Sequence, residues 1–443
     1  MTADVRVIGA PSERRSLRPL VGVLAAMAVA STGTRVSAVA LPWFVLVTTG
    51  SATRTGLVAF CELAPYVLVK AFTGPRVDRA GPRTVSLGAD VGSALGAAAV
   101  LVLHAVDALS FPLLLALVAL IGAARGPGDL AKEVMVPEAA ERGAVPLERA
   151  TGLSGVTERL ASTAGPVAGG ALVALVGPLK GLAVTAVCFA LGSVIVAVAL
   201  PRRLGRADSE GASGTSEEPG YWLRFREGFT FLRGEPLLMS VIVMVGITNL
   251  LDSAFSAVLL PVWARESGHG PAAIGLLGSV AGAAAVGGSL VAAVAAHRLR
   301  RRLVFFAGFL VAGAPRYAIL AFDAPMAAVV AVFGVAGFGA GFLNPVLGAV
   351  LLERVPRHLL GRVNALGDSL TSAGLPLGGL LAGAAVTAVG LAPVLLACAA
   401  GYFLTTNSAG LRPEWRAMDR ERGRLLHEGP RREKDEPASP AAP

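Results

Sequence analysis

Seven ionisable side chains sit deep inside long apolar stretches of this chain: Arg35, Glu62, Arg125, Glu158, Arg159, Asp252 and Asp368. Holding such a group within a hydrocarbon layer costs about 2.5–3.5 kcal/mol on insertion scales, so each needs a reason to be there. Three are basic and four acidic, a mixture that fits a coupling machine better than a passive apolar pore. A carboxylate whose charged form is penalised by desolvation can load a proton on one side of a membrane and release it on the other. Glu62, Glu158 and Asp252 are the candidates for that work. Arg35 or Arg125 could keep one of them ionised until substrate or a conformational change separates the pair. Ion pairs that only hold helices together would look the same in a sequence. Lys70 and Arg316 lie near span ends and read as snorkelling anchors, and Asp90 reads as structural, within reach of inner-loop arginines.

The elements that must hold these groups are membrane helices. Of 443 residues, 54% are hydrophobic and only 16% charged, against about a quarter in soluble domains. The 54 Gly and 28 Pro lie inside the apolar runs as well as between them, as in membrane helices. A span needs roughly 20 mainly apolar residues, and that window gives twelve: 20–48, 53–73, 83–104, 110–132, 148–176, 179–200, 236–263, 271–296, 303–322, 325–352, 361–389 and 391–411. Below they are spans 1 to 12.

Basic residues set the orientation. Of 39 Lys and Arg, only Arg54, Lys180 and Arg265 fall opposite the N-terminus, and Arg35, Lys70, Arg159 and Arg316 fall inside spans, with Arg125, at the border, counted with its inner loop. The rest share the side of the N-terminus, so both termini are expected to be cytoplasmic, in the cell membrane. The net charge of +9 is then an inner surface facing anionic lipid, which argues against a nucleic-acid partner. The N-terminal residues lack a cleavage site after a short apolar core and read as a retained tail.

The expected organisation is a cytoplasmic tail at 1–19, a six-helix bundle at 20–200, a cytoplasmic linker at 201–235, a second six-helix bundle at 236–411 and a charged, partly disordered tail at 412–443. The linker opens Gly/Ser/Glu-rich and ends in "YWLRFREGFTFLRGEP", an amphipathic helix whose Trp222, Phe225, Phe229 and Phe231 are expected to face lipid. The two bundles resemble each other. Leu41-Pro42, Gly56-Leu57, Arg79 and Arg83 recur at one constant offset as Leu260-Pro261, Gly275-Leu276, Arg298 and Arg302. Pro166, Gly169 and Glu158 meet Pro376, Gly379 and Asp368 at a second offset. Parallel repeats of this kind place a binding site at mid-membrane between the halves.

Between spans 2 and 3 lies "GPRVDRAGPR" at 74–83. Its glycines permit a tight turn, and its arginines anchor the loop inside. The pattern Gly74, Asp78, Arg79, Gly81 and Arg83 resembles the signature of the major facilitator superfamily. That resemblance implies that Asp78 accepts hydrogen bonds at the N-terminus of span 11, near Gly361, where the helix dipole favours an anion. Asp78 would then clamp the cytoplasmic side shut in the outward-facing state. A topological anchor without a moving role is the plainer alternative. The sequence departs from the pattern at Arg76, where an aliphatic residue is usual, and at Pro82, where a basic one is. In the second half His297 replaces the aspartate and Ala293 the glycine.

Span 5, "GLSGVTERLASTAGPVAGG" at 152–170, resembles the glycine–proline motif of the superfamily's exporters through Gly152, Gly165, Pro166, Gly169 and Gly170, with Ala161 in place of one glycine. Small residues there let helices approach closely. Twelve spans, "ALPWFVLVTTGS" ending span 1 and "EGFTFLRGEP" before span 7 are similar to the branch containing enterobactin exporters and macrolide-efflux pumps, over residues 18–411. The resemblance implies that spans 1, 4, 7 and 10 line a cavity and 2, 5, 8 and 11 flank it, so that all seven buried charges could face water. Trp43, Phe44, Asn249 and Asn344 are taken as the substrate route.

The expectation is an all-α membrane protein of two six-helix pseudo-repeats. It is expected to export a small, partly apolar molecule in exchange for protons, acting as a monomer. A nutrient importer or uniporter, or a membrane sensor without transport, are the alternatives, and the intramembrane charges disfavour the last. Enzyme signatures are missing: there is no P-loop, no G-x-S-x-G and no Cys/His metal spacing around Cys61, Cys188 or Cys398. No metal or cofactor is expected. "GVAGFGAG" at 334–341 lies in an apolar span with no strand before it and reads as helix packing.

Overall fold

The structure, a computed structural model, describes residues 16–201, 221–295, 301–356, 359–412 and 415. Expectations for the N-terminal tail, most of the linker, His297, Arg298 and the end of the C-terminal tail lie outside these residues. So do the side chains of Asp78, Arg159, Trp222 and Phe225.

Among the described residues, twelve helices are long and apolar enough to cross a membrane. Spans 1 to 6 run Arg18–Thr49, Ala52–Phe72, Pro82–Ala105, Phe111–Arg142, Leu147–Val176 and Pro178–Ala199. Spans 7 to 12 run Pro236–Glu266, Gly270–Val294, Arg302–Ala321, Met326–Gly348, Leu360–Val389 and Leu391–Gly410. Local chemistry fixes their ends. The Ser51 side chain accepts the Arg54 N–H at the start of span 2, and Ser110 accepts that of Leu113 at the start of span 4. Gly50 closes span 1 in the left-handed region at φ 68°. Large apolar side chains stay exposed along the spans, as with Leu175 at 84%, which suits helices solvated by lipid and not by water.

Span 4 is the main departure from the sequence expectation. It continues past residue 132 to Arg142, so charged residues assigned to a loop lie on the same helix as Arg125. Span 7 contains a π-helical turn, Phe255–Leu259, immediately before Pro261. The proline has no N–H and crowds the carbonyl four residues back, and the wider turn absorbs that misfit. The amphipathic helix before span 7 is present as Tyr221–Gly234, with Phe229 exposed and Phe231 half-buried.

The chain packs as two compact units. The first comprises the described part of Met1–Glu218 with Asn249–Gly282 and Ser372–Leu395. In it span 1 packs on spans 5 and 6, span 4 on spans 2 and 3, and the C-terminal half of span 11 on span 2. Leu20, Val23, Met135, Val136, Ala150 and Val196 form its core where spans 1, 4, 5 and 6 meet. The second comprises Pro219–Thr248, Ala283–Thr371 and the described part of Leu396–Pro443. Among its described residues the largest fully buried side chain is Trp415, which donates its indole N–H to Ser240 at 3.1 Å and packs on Phe305.

Candidate functional site

Spans 2 and 4 are drawn together by glycines. A Cβ at Gly126 would lie 2.8 Å from the Tyr66 carbonyl oxygen and 3.1 Å from Lys70 Cβ, and one at Gly122 would collide with the Glu62 carbonyl. Backbones this close set Glu62, Tyr66 and Lys70 beside Arg125, Asp129 and Glu133, each pair 63 residues apart. Arg125 Nη1 donates to Glu62 Oε1 at 2.9 Å, and Arg125 Nε lies 3.9 Å from Asp129 Oδ2. The guanidinium also rests 4.5 Å from the Tyr66 ring centre. One level along, Lys70 Nζ is 3.4 Å from Glu133 Oε1. Lys70, read from the sequence as a lone anchor, thus has a carboxylate partner.

Spans 1 and 5 carry a second pair. Arg35 Nη2 donates to Glu158 Oε1 at 2.7 Å, and the Ser31 hydroxyl donates to Glu158 Oε2 at 2.9 Å. Gly165 and Gly169 make room for Arg35 and Val36, since a Cβ at 169 would sit 3.1 Å from Val36 Cα. Gly170 abuts Gly275 of span 8, and a Cβ at Gly278 would meet Pro166 Cβ at 2.9 Å. The remaining motif glycine differs: nothing lies within 4 Å of a Cβ at Gly152, so it takes no part in close packing here.

A deeply enclosed ion pair was not legible. Lys132 Nζ lies 2.7 Å from Asp90 Oδ1, with side chains only 3% and 4% exposed. Asp90 is therefore held by span 4 and not by loop arginines. A signal did exist: Arg125, Asp129 and Lys132 or Glu133 repeat at helical spacing, but ending the span at residue 132 hid the stripe.

The charged knot folds as a short helix, Gly74–Ala80, and turns into span 3 at Gly81 with φ 82°, a conformation that favours glycine. Arg83 donates to the carbonyls of Leu200 and Ala197 at 3.0 and 2.8 Å, satisfying the C-terminus of span 6. Arg79 is exposed.

Four expectations concerned a substrate route. Trp43 and Phe44 are both buried, Phe44 edge-on to His104 with ring centres 5.2 Å apart. Asn249 and Asp252 are half-buried in the first unit, and Asn344 and Asp368 are exposed in the second. Among the described residues no cluster of His, Cys, Asp and Glu could hold a metal ion.

A family model described as "Transmembrane secretion effector" matches residues 18–431. The chain belongs to the transmembrane secretion effector family of the major facilitator superfamily. Its similarity to curated relatives extends over nine-tenths of the chain. The multidrug efflux pump Tap of Mycobacterium tuberculosis is 32% identical over 402 residues, covering 90% of this chain and 94% of that protein. Tap of Mycolicibacterium fortuitum is 31% identical over 408 residues, covering 90% and 97%. The fold is that of solved superfamily members. The nucleoside transporter NupG aligns with a TM-score of 0.70 at 12% identity, covering 91% of this chain and 99% of its own. A bacterial homologue of the human lysosomal transporter Spinster aligns at 0.61 and 14% identity, covering 94% and 97%.

Proposed function

We propose that this transmembrane secretion effector family member is an efflux transporter of the cytoplasmic membrane. It exports a small amphipathic molecule in exchange for protons, with both termini cytoplasmic. The observation that carries the reading is the Glu62–Arg125 pair, enclosed midway along two spans of a chain whose relatives are named multidrug efflux pumps. A carboxylate and a guanidinium held so far from bulk water cost more than packing alone requires. Protonating Glu62 removes one charge of the pair and frees the other, which links a proton to the positions of spans 2 and 4.

Alternating access supplies the movement, with residues 20–200 and 236–411 rocking about a site between them. By the inside-positive orientation, the start of span 2 and the end of span 11 lie at the outer face. There Thr53 Oγ1 meets Thr387 Oγ1 at 2.7 Å and the Gly383 carbonyl at 3.2 Å. Spans 5 and 8 meet at Gly170 and Gly275. Both contacts part when the outer side opens. The protein works as a monomer, with substrate and protons as its ligands.

The test is ethidium efflux from preloaded cells expressing the protein, with and without a protonophore. Efflux that stops on uncoupling supports the proposal. Efflux that continues unchanged excludes proton exchange, and protein-dependent ethidium accumulation in place of extrusion excludes export.

A further inference from the structure

Resting on the reading that Glu62 carries the coupled proton, we infer that Asp129 is a second proton-carrying group on the same route, joined to Glu62 through the one guanidinium they share. Arg125 engages Glu62 with a 2.9 Å hydrogen bond but stands 3.9 Å from Asp129. Its Nε is buried and has no hydrogen-bond partner. A buried guanidinium N–H without an acceptor is costly, and this one lies nearer Asp129 Oδ2 than a second carboxylate needs to be to claim it after a small rotation. The arginine is spent on one side and unspent on the other.

The charge balance agrees. Glu62, Asp129 and Glu133 face Arg125 and Lys70 along this seam, one acid more than the bases. A single proton makes the set neutral. Around it, Tyr66 offers its ring to Arg125, Arg35 of span 1 is paired with Glu158, and Asp90 of span 3, though paired with Lys132, adds a further negative charge near Asp129.

The levels also form a gradient. Side-chain exposure rises from 10% and 14% at Arg125 and Glu62, to 31% at Asp129, to 33% and 55% at Lys70 and Glu133. At 1.5 Å per residue, Arg125, Asp129 and Glu133 lie about 21, 27 and 33 Å along span 4 from Phe111. A hydrocarbon core of about 30 Å puts Glu133 at the inner boundary and Asp129 between it and the pair. Protonated Glu62 gives its proton to Asp129 and, ionised again, reclaims Arg125. Asp129 then releases the same proton to inner water past Lys70 and Glu133. No proton is created or lost.

The experiment uses the full chain in proteoliposomes with ethidium as probe, comparing Asp129→Asn, Asp129→Glu and Glu62→Gln. Two rates are read: transport driven by an imposed pH gradient, and ethidium counterflow, which moves no net proton. For Asp129→Asn, gradient-driven transport should fall by about a hundredfold, the low end for a positioned proton-transfer group, while counterflow persists. Asp129→Glu should restore the rate with a displaced pH profile. If Glu62→Gln abolishes the gradient response but Asp129→Asn keeps the wild-type rate and pH profile, Asp129 is off the route. Loss of counterflow in Asp129→Asn would make it a packing residue and overturn the inference. A Glu62→Gln protein that still answers the gradient would instead remove the coupling reading itself.

Discussion

Arg83 and Arg302 do the same work in the two halves of the chain. Arg83 donates to the carbonyls of Ala197 and Leu200 where span 6 ends, and Arg302 donates to the Gly410 carbonyl at 2.9 Å where span 12 ends. The last carbonyls of a helix have no partners of their own, and at a membrane boundary a guanidinium supplies them while its charge stays near water. The internal repeat is thus a repeat of contacts as well as of letters. Replacing either arginine with Ala should cost about 1–3 kcal/mol, read as a lower Tm in detergent, with Lys recovering part of the loss. An unchanged Tm for both would make the bonds incidental.

The Asp90–Lys132 bridge predicts a sign. Removing one partner leaves a charge enclosed without its neutraliser, which costs about 3–5 kcal/mol. Replacing both with apolar residues of similar volume removes the problem. Asp90→Leu and Lys132→Met should each lower thermal stability sharply, and the double variant should be more stable than either. Additive losses would mean that the two side chains do not depend on each other.

Thr53 and Thr387 offer a direct handle on the contact between spans 2 and 11. With Cys61, Cys188 and Cys398 replaced, Thr53→Cys with Thr387→Cys should form a disulfide under mild oxidation, since the parent hydroxyls touch at 2.7 Å. Cross-linked protein should not transport, and dithiothreitol should restore it. Transport by the fully cross-linked protein would show that these ends need not separate.

Span 5 gives a contrast within one motif. Gly170→Val thrusts a branched side chain into the Gly275 backbone and should abolish efflux, whereas Gly152→Ala enters open space and should leave it intact. Equal effects would break the link between this motif and close packing.

Much of the fold could be read beforehand, because crossing a hydrocarbon layer demands long apolar helices and little else satisfies the backbone there. Span ends agreed closely where Gly, Ser or Pro marked them, as at Ser51 and Gly81. They failed at span 4, which was ended at residue 132 although the helix runs on to Arg142. The pairings were harder. Glu62 and Arg125 could each be singled out as costly, yet only the approach of Gly122 and Gly126 to span 2 shows that they meet. Lys132 escaped notice because it sat at an assumed boundary, so Asp90 was given loop arginines as neighbours and not its true partner.

The central claim is that a proton on Glu62 drives transport. The most direct measurement is ethidium uptake into inside-out membrane vesicles as their lumen is acidified stepwise, for the wild type and for Glu62→Gln. Wild-type uptake should climb with the gradient and collapse when nigericin dissipates it, while the variant should stay flat yet still perform counterflow. Wild-type uptake indifferent to the gradient, or a variant that follows it equally well, would contradict the account.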